Sequence, residues 1–418
     1  MFLTQSNIIR GLTKSEYAML REMCQYANNL YNVGLYHIRQ HYFATKTFLR
    51  YESNYHECKN NENYKLLQAG ISQQILRVVD RSFKSFFNLI RKAKTGDYRY
   101  QDIKMPHYQK KGGLFALILS TNAIAMENGY LKIPVSHAFQ KLHGKVNIRV
   151  PFPDRLAGKT IKEVRILPIH NGQYFKVQYV YLQEEEPLGL DKTQALGIDL
   201  GVNNFATCLP SNGTPFIIDG RKLKSYNRYW NKQKACYQSI ADHQNIKRIT
   251  NRMAALNMKR NNKVHDYICK SARYIINYCI ANHIGTIVVG YNEDFKYKPH
   301  MGKINNQNFV QIPFGDLRES LFFLCERYGI QYIQQEESYT SASSYLDNDE
   351  LPVYKPEQPY TGTFSGKRIK RGLYRTADKT TLNADVNGAA NILRKVSGYS
   401  YELPCSGCLA HPLRISIG

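Results

Sequence analysis

The stretch "ALGIDLGVNNFATCLP", beginning at Ala195, sets a carboxylate in the middle of an apolar strand. An aspartate in a buried strand is costly unless it is paired, hydrogen-bonded or bound to a cation. A turn-capping role fits poorly, because Asp199 lies mid-strand with Gly197 and Gly201 on either side. Glycines at such places let backbone or phosphate approach closely. The chain then turns through "GVNN" into a second strand, and "PFIIDG" supplies a third. Two long helical stretches follow, roughly 222–256 and 261–283, then the strand 286–291, a helix over about 313–328, the strand "IQYIQQEES", a basic loop and a final helix, "NADVNGAANILRKV". Three strands, helix, then alternating strand and helix is the order of an α/β unit with a mixed sheet.

Upstream the texture differs. Residues 2–10 form a short strand, and Thr13 and Glu16 have the spacing of a capping box that opens a helix. Tyr17, Leu20, Cys24, Ala27, Tyr31, Leu35 and Ile38 recur at helical intervals, as do Ile75, Val79, Phe83, Phe86 and Ile90 in a second helix over about 72–94. The other face of that helix carries Arg77, Arg81, Lys84 and Arg91, either a solvated surface or a face for a nucleic-acid backbone. From 96 to 188, short alternating runs such as "LFALILS", "KVNIRVPF" and "YFKVQYVYLQ" are separated by "ENG" and "HNG" turns, as in a small antiparallel barrel or sandwich. "EEEPLGLDK" has the look of a linker.

The formal charge of +24 points to a polyanionic partner, and 32 Tyr and 18 Phe supply stacking surface beside it. The sequence contains no membrane-length apolar run and no signal-peptide core. Its nine cysteines are scattered, and Cys405 and Cys408 form the one C-x-x-C. A zinc ribbon needs two such pairs, so reduced, unligated thiols are expected, with no zinc.

Asp385, in "LNADVNGAANIL", falls in the first turn of the last helix, with Asn383 as its cap. It serves either the helix dipole or, with small residues packing the helix onto the sheet, a site facing Asp199. "GIDLG" alone also resembles the first phosphate motif of actin-like and sugar kinases, which would make the chain ATP-using. No second glycine-rich phosphate loop accompanies it.

"LGIDLGVNNFAT", "GKINNQNFVQIPFGDLRESL", "EESYTSASSYLD", "FSGKRIKRGLYR" and "LNADVNGAANILRK" together resemble the TnpB family, the RNA-guided nucleases of insertion sequences related to type V CRISPR effectors. The resemblance spans most of 190–396. It implies an RNase H-like (RuvC) nuclease domain of α/β class over 189–396. It further implies a wedge β-barrel from 1–10 and 96–188, an inserted helical recognition domain over 11–95, and a C-terminal tail over 397–418. It also implies two Mg²⁺ or Mn²⁺ ions, a guide RNA, a double-stranded DNA target, a monomeric protein within the ribonucleoprotein, and a place in the bacterial cytoplasm with the nucleoid. Two departures stand out. The four-Cys zinc ribbon is missing, and the strand 286–291 ends in Gly290 where most of the family has a catalytic glutamate. Either the chain is a non-cleaving RNA-guided repressor or the acid has moved. A subgroup of the family, with its Fanzor relatives, has a glutamate three residues before the Thr of "TS", which here is Glu337. The resemblance therefore implies Asp199, Glu337 and Asp385 as metal-binding catalytic acids, with Glu336 and Glu293 as alternatives for the third.

For nucleic acid, "FSGKRIKRGLYR" offers Lys367, Arg368, Lys370, Arg371 and Arg375 without an acid among them. Thr340 and Ser341 either bond a phosphate or cap the strand end. "HYQKKGG" offers Tyr108, Lys110 and Lys111 for RNA. Lys259, Arg260 and Lys263 add a basic stretch, His265 is expected to pack between helices, and Asn308 and Gln311 lie just ahead of the helix near 313.

Overall fold

The computed structural model describes residues 1–292, 311–354, 357, 360–396, 399 and 407–418. The chain divides into two compact units, Met1–Gln183 and Glu184–Gly418.

The first unit begins with β1 (Phe2–Ile8) and α1 (Lys14–Thr45), followed by α2 (Tyr51–Cys58), α3 (Glu62–Leu66) and α4 (Ala69–Lys94). The expected capping box opens α1: the Glu16 N–H donates to Thr13 Oγ1 at 3.2 Å and the Thr13 N–H to Glu16 Oε2 at 2.8 Å. Leu20, Cys24, Ala27, Leu35 and Ile38 of α1 are fully buried, as are Ile75, Val79 and Phe83 of α4. Gly34 sets how closely the two helices meet, because a Cβ there would lie 2.6 Å from Leu76 Cδ2.

The strands that follow are β2 (Leu117–Ser120), β3 (Ala125–Glu127), β4 (Tyr130–Lys132), β5 (Arg149–Pro151), β6 (Ile161–Ile169) and β7 (Tyr174–Leu182), with α5 (His137–His143) between β4 and β5. They form a four-stranded sheet, β1-β7-β6-β2, and a three-stranded sheet, β3-β4-β5, both antiparallel. Among the described residues no ring of strands closes into a barrel. β1 pairs along its whole length with β7, from Phe2 opposite Leu182 to Ile8 opposite Lys176.

The second unit contains β8 (Asp191–Leu200), β9 (Asn204–Pro210), β10 (Phe216–Asp219), α6 (Arg221–His243), α7 (Asn251–Ala281), β11 (Ile284–Tyr291), α8 (Phe314–Tyr328), β12 (Gln331–Glu336), β13 (Lys367–Lys370), β14 (Leu373–Arg375), β15 (Thr381–Asn383), α9 (Ala384–Arg394) and β16 (Leu413–Ile415). Six strands make a mixed sheet in the order β12-β11-β8-β9-β10-β16. β8, β9 and β10 form an antiparallel meander, and β11 and β12 add parallel on the free side of β8. One face is covered by an apolar core that joins Leu196, Ile198, Ile287 and Val289 to Ile268, Ile275 and Leu317 of α7 and α8. The other face carries α9, whose Ile392 and Leu393 pack on Ala195 and Val288.

Several boundaries differ from the sequence reading. The first long helix ends at His243, and a turn with Asn245 at φ 54° separates it from α7, which starts at Asn251 under a Thr250 cap. The basic loop is not irregular: β13, β14 and β15 form a small antiparallel sheet. Residues 413–415, within the expected tail, pair parallel with β10 at the sheet edge, and the Arg414 guanidinium meets Asp219 at 3.3 Å. The expected linker docks on its own unit through Glu186 and Leu188 N–H groups, which donate to the carbonyls of Arg327 and Tyr328. Cys408 is disulfide-bonded, contrary to the expected free thiol, whereas Cys405 lies outside the described residues.

Thr13→Ala removes an N-cap whose loss typically costs about 1 kcal/mol. Urea unfolding of this variant should show a lower midpoint with an unchanged slope.

Candidate active site

Three parallel strands, β8, β11 and β12, bring their carboxyl ends to one edge of the sheet, the position where open α/β sheets place their sites. Val289 pairs with Ile198, and Gly290 with Gln335, so Asp199, Gly290 and the end of β12 stand side by side. The helix α9 reaches this edge because Gly197 has no side chain: a Cβ there would lie 2.7 Å from the Ala389 carbonyl. Gly388 faces the Asp199 carboxylate in the same way, its ideal Cβ only 2.8 Å from Oδ2.

Gly290 is where the side-chain space has been taken by another residue. An added Cβ would meet Glu337 Oε2 at 2.5 Å and Ile392 Cδ1 at 2.6 Å. The Glu337 carboxylate therefore occupies the volume that a residue at 290 would need. Its N–H continues the ladder by donating to the Tyr291 carbonyl at 3.2 Å. Glu336 is committed elsewhere. Its carboxylate accepts from Lys395 Nζ at 2.8 Å and from the Ser338 N–H, and the Lys395 side chain is 5% exposed. Consecutive strand residues face opposite ways, which separates these two neighbours. Glu293 lies outside the described residues.

Asp385 follows its cap as expected, with Asn383 Oδ1 accepting from the N–H groups of Asp385 and Val386 at 3.0 and 3.2 Å. Its carboxylate accepts from Asn204 Nδ2 and, at 3.1 Å, from the Arg368 guanidinium. Asn204 escaped the sequence reading; its signal was its place at the start of β9, just past the tight turn that follows the Asp199 strand.

The electrostatics are those of crowded acids. Burial holds the Asp199 carboxyl well above the usual range, the charges of Glu337 and Asp385 add to this, and Arg368 offsets part of it. Glu337 is pushed up to about 7 by burial and then by Glu336, with Arg318 and Lys395 acting against the shift. For Glu336, burial is outweighed by its bonds to Lys395 and Ser338, which hold it below the ordinary value. An all-carboxylate donor set suits a hard cation such as Mg²⁺, and a negative cluster with protons held this tightly is short of positive charge. These residues fit a divalent cation by donor chemistry and by charge. No group of three His, Cys, Asp or Glu side chains among the described residues is already drawn in to metal-holding spacing. The Arg368 cation shares Asp385 instead.

The family model OrfB_IS605, described as a probable transposase, matches residues 178–296, the span from the end of β7 through β11. The TnpB-like protein ORF457 of Acidianus two-tailed virus is 22% identical over 424 positions, covering 94% of this chain and 87% of that protein. The chain is similar to this TnpB-like protein over most of its length. Its fold matches a cryo-EM structure of a Cas12f1–sgRNA–target DNA complex at TM-score 0.55 and 15% identity, over 91% of this chain and 83% of that one. A mini-RNA-guided endonuclease, CRISPR-Cas_phi3, aligns at TM-score 0.47 and 9% identity, over 97% and 94% of the two chains.

The remaining site candidates fall in both units. Lys367, Arg368, Lys370, Arg371 and Arg375 are all exposed on the β13–β14 hairpin, beside Asp385 through Arg368. Thr340 is 5% exposed, and its hydroxyl donates to the Glu337 carbonyl at 2.9 Å. It caps the strand end and has no open face for a phosphate, whereas Ser341 is exposed. In the first unit Arg77 and Arg81 are exposed on α4, with the Arg77 guanidinium 4.3 Å from the Tyr51 ring. Tyr108, Lys110 and Lys111 are exposed on a segment fastened along α1: Asn32 pairs with both the N–H and the carbonyl of Gln109, and Asn28 donates to the Lys110 carbonyl. The Arg39 guanidinium lies 5.1 Å from the Tyr108 ring.

His265 is exposed rather than packed between helices. Arg260 is partly withdrawn from solvent, bonded to Asn227 Oδ1 and the Gln311 carbonyl. The Gln311 side chain bonds Asn231 in both directions, a structural role, and Asn308 lies outside the described residues. No helix among the described residues is long and apolar enough to cross a membrane.

A carboxyl group whose proton is held more tightly folded than unfolded stabilises the fold while protonated. For Glu337 that contribution is full below the ordinary value of 4.5 and is lost as pH rises through about 7. Glu337→Gln, which keeps the shape without the charge, should raise the melting temperature of the metal-free protein by about 3–8 °C near pH 8 and leave it unchanged near pH 4. Equal curves for the two proteins near pH 8 would contradict the burial of this charge.

Proposed function

We propose that this chain is an RNA-guided DNA endonuclease encoded by a mobile element, cutting next to a short flanking motif. The observation that carries the proposal is the substitution of space at the sheet edge: Glu337 fills the volume above Gly290, near Asp199, whose carboxyl also feels the charge of Asp385. The TnpB-like relationship and the Cas12f1-like fold support the same reading.

In this scheme a guide RNA pairs with one DNA strand, while the protein, a monomer in the ribonucleoprotein, reads the flanking motif and the heteroduplex shape. Residues 11–95 serve as the recognition domain, 1–10 with 96–188 as the wedge domain, and 189–396 as the nuclease. Asp199, Glu337 and Asp385 would hold two Mg²⁺ or Mn²⁺ ions. Once bound, such a pair supplies an activated water and neutralises charge on the scissile phosphate. Arg368 releases Asp385 and pairs with a phosphate oxygen, so its charge stays near the site in both states. Lys367, Lys370, Arg371 and Arg375 hold the strand being cut. Tyr108, Lys110, Lys111, Arg77 and Arg81 contact nucleic acid in the first unit, and Ser341 lies at the turn after Glu337.

Asp199→Ala, Asp385→Ala and Glu337→Gln should each lower cleavage of a matched target by at least about a thousandfold while leaving guide and target binding intact, and EDTA should do the same to the wild type. Glu336→Gln should retain cleavage. If the wild type with its own RNA binds a matched target and never cuts, the chain is a repressor.

Neutralising Lys367, Lys370, Arg371 and Arg375 together should reduce the slope of log affinity against log salt by about one unit per lost phosphate contact. An unchanged slope would make the hairpin an ordinary solvated surface.

A further inference from the structure

Moving an acid from β11 to the end of β12 creates a mechanical problem. β11 is held on both sides, by β8 and β12. β12 is the outer strand of the sheet, and Glu337 stands one residue past its end. The turn that follows is strained as well: Tyr339 has φ 60°, a left-handed conformation that side chains other than glycine's disfavour. Such a turn keeps its shape when the surroundings hold it.

The surroundings here are two fully buried asparagines of α9. Asn391 Nδ2 donates to the Thr340 carbonyl at 2.9 Å and to the Ser343 carbonyl at 2.8 Å. Asn387 Nδ2 donates to the Ser343 carbonyl at 2.8 Å, and its Oδ1 accepts from the Tyr345 N–H at 3.0 Å. Thr340 in turn donates through its hydroxyl to the Glu337 carbonyl. A two-link chain of hydrogen bonds thus runs from α9 through Thr340 to the backbone of Glu337. The same helix carries Asp385 in its first turn.

We infer that Asn391 and Asn387 are positioning residues for Glu337: they fasten the strained turn after β12 to the helix that bears Asp385, and so fix the distance between two acids borne on separate elements. The inference rests on the assignment of Glu337 as a metal-binding acid. It explains why buried side-chain amides stand on an otherwise small and apolar helix face. Between them the two asparagines satisfy the Thr340 and Ser343 carbonyls and the Tyr345 N–H, backbone groups outside any strand of the sheets.

The test is a double-mutant cycle on the full chain, with Mn²⁺ as the probe and its affinity read from the rise in melting temperature on titration. Asn391→Ala should weaken Mn²⁺ binding about 10-fold, the usual size for a group that orients a metal ligand. In a Glu337→Gln background the same change should have no further effect, since the residue it positions no longer binds. Affinity for guide RNA and target should stay at the wild-type value. Equal losses in both backgrounds, or none in either, would overturn the inference, because a general structural role predicts additivity. If Glu337→Gln alone leaves Mn²⁺ affinity unchanged, the metal-ligand assignment itself fails. Should Asn391→Ala fail to fold, Asn387→Ser removes one of the two donors to Ser343 and must show a smaller loss with the same dependence on Glu337.

Discussion

The contact of α9 with β8 is the constraint on which the second unit depends. A helix and a strand usually keep a side-chain layer between them. Here Gly197 faces the Ala389 carbonyl and Gly388 faces Asp199, so backbone meets backbone and carboxylate with nothing between. That closeness sets Asp385, in the first turn of the helix, near enough to Asp199 for its charge to be felt there. It also brings Asn387 and Asn391 within hydrogen-bond reach of the turn after β12. A side chain at either glycine would separate helix and sheet and change all of these distances together.

Space and charge then decide between neighbouring acids. Glu336 and Glu337 are adjacent in sequence and alike in chemistry. One is neutralised by Lys395, itself almost wholly buried, while the other has its carboxylate over Gly290 with no cation bonded to it among the described residues. The difference follows from strand alternation, which sends one outward and one toward Asp199. Arg368 has a comparable double character. It belongs to an exposed basic hairpin, yet it offsets part of the negative charge of the site by bonding Asp385. A guanidinium suits this place because it bonds a carboxylate and a phosphate with the same geometry.

In the first unit, the exposed aromatic and basic side chains stand on a fastened backbone. The segment that carries Tyr108 is held by amide pairing with Asn32, and Arg39 lies against the ring. Fixing such a surface in advance lowers the entropic cost of binding a flexible polyanion. The net charge of +24 supplies long-range attraction to a polyanion, and built surfaces of this kind would supply the short-range contacts of the proposed function.

The sequence by itself determined the order of elements, the helix caps at Thr13 and Asn383, the mixed character of the sheet, and two acids worth following, Asp199 and Asp385, while the third stayed open among Glu337, Glu336 and Glu293. Each of these is a local property, written in periodicity, capping chemistry or an acid set in an apolar run. Tertiary structure alone decided the rest. That Gly290 makes room for Glu337, that Thr340 is buried, that Arg368 bonds Asp385, and that residues 413–415 complete the sheet edge all depend on residues far apart in the chain meeting in space. A hydrogen bond between positions 340 and 391 leaves no periodic trace at either end. The same holds for the basic segment at 367–375, whose composition suits a loop and whose pairing with 381–383 makes it a sheet. Composition reports what a segment prefers in isolation, whereas partners supplied by the fold decide which of its alternatives is realised.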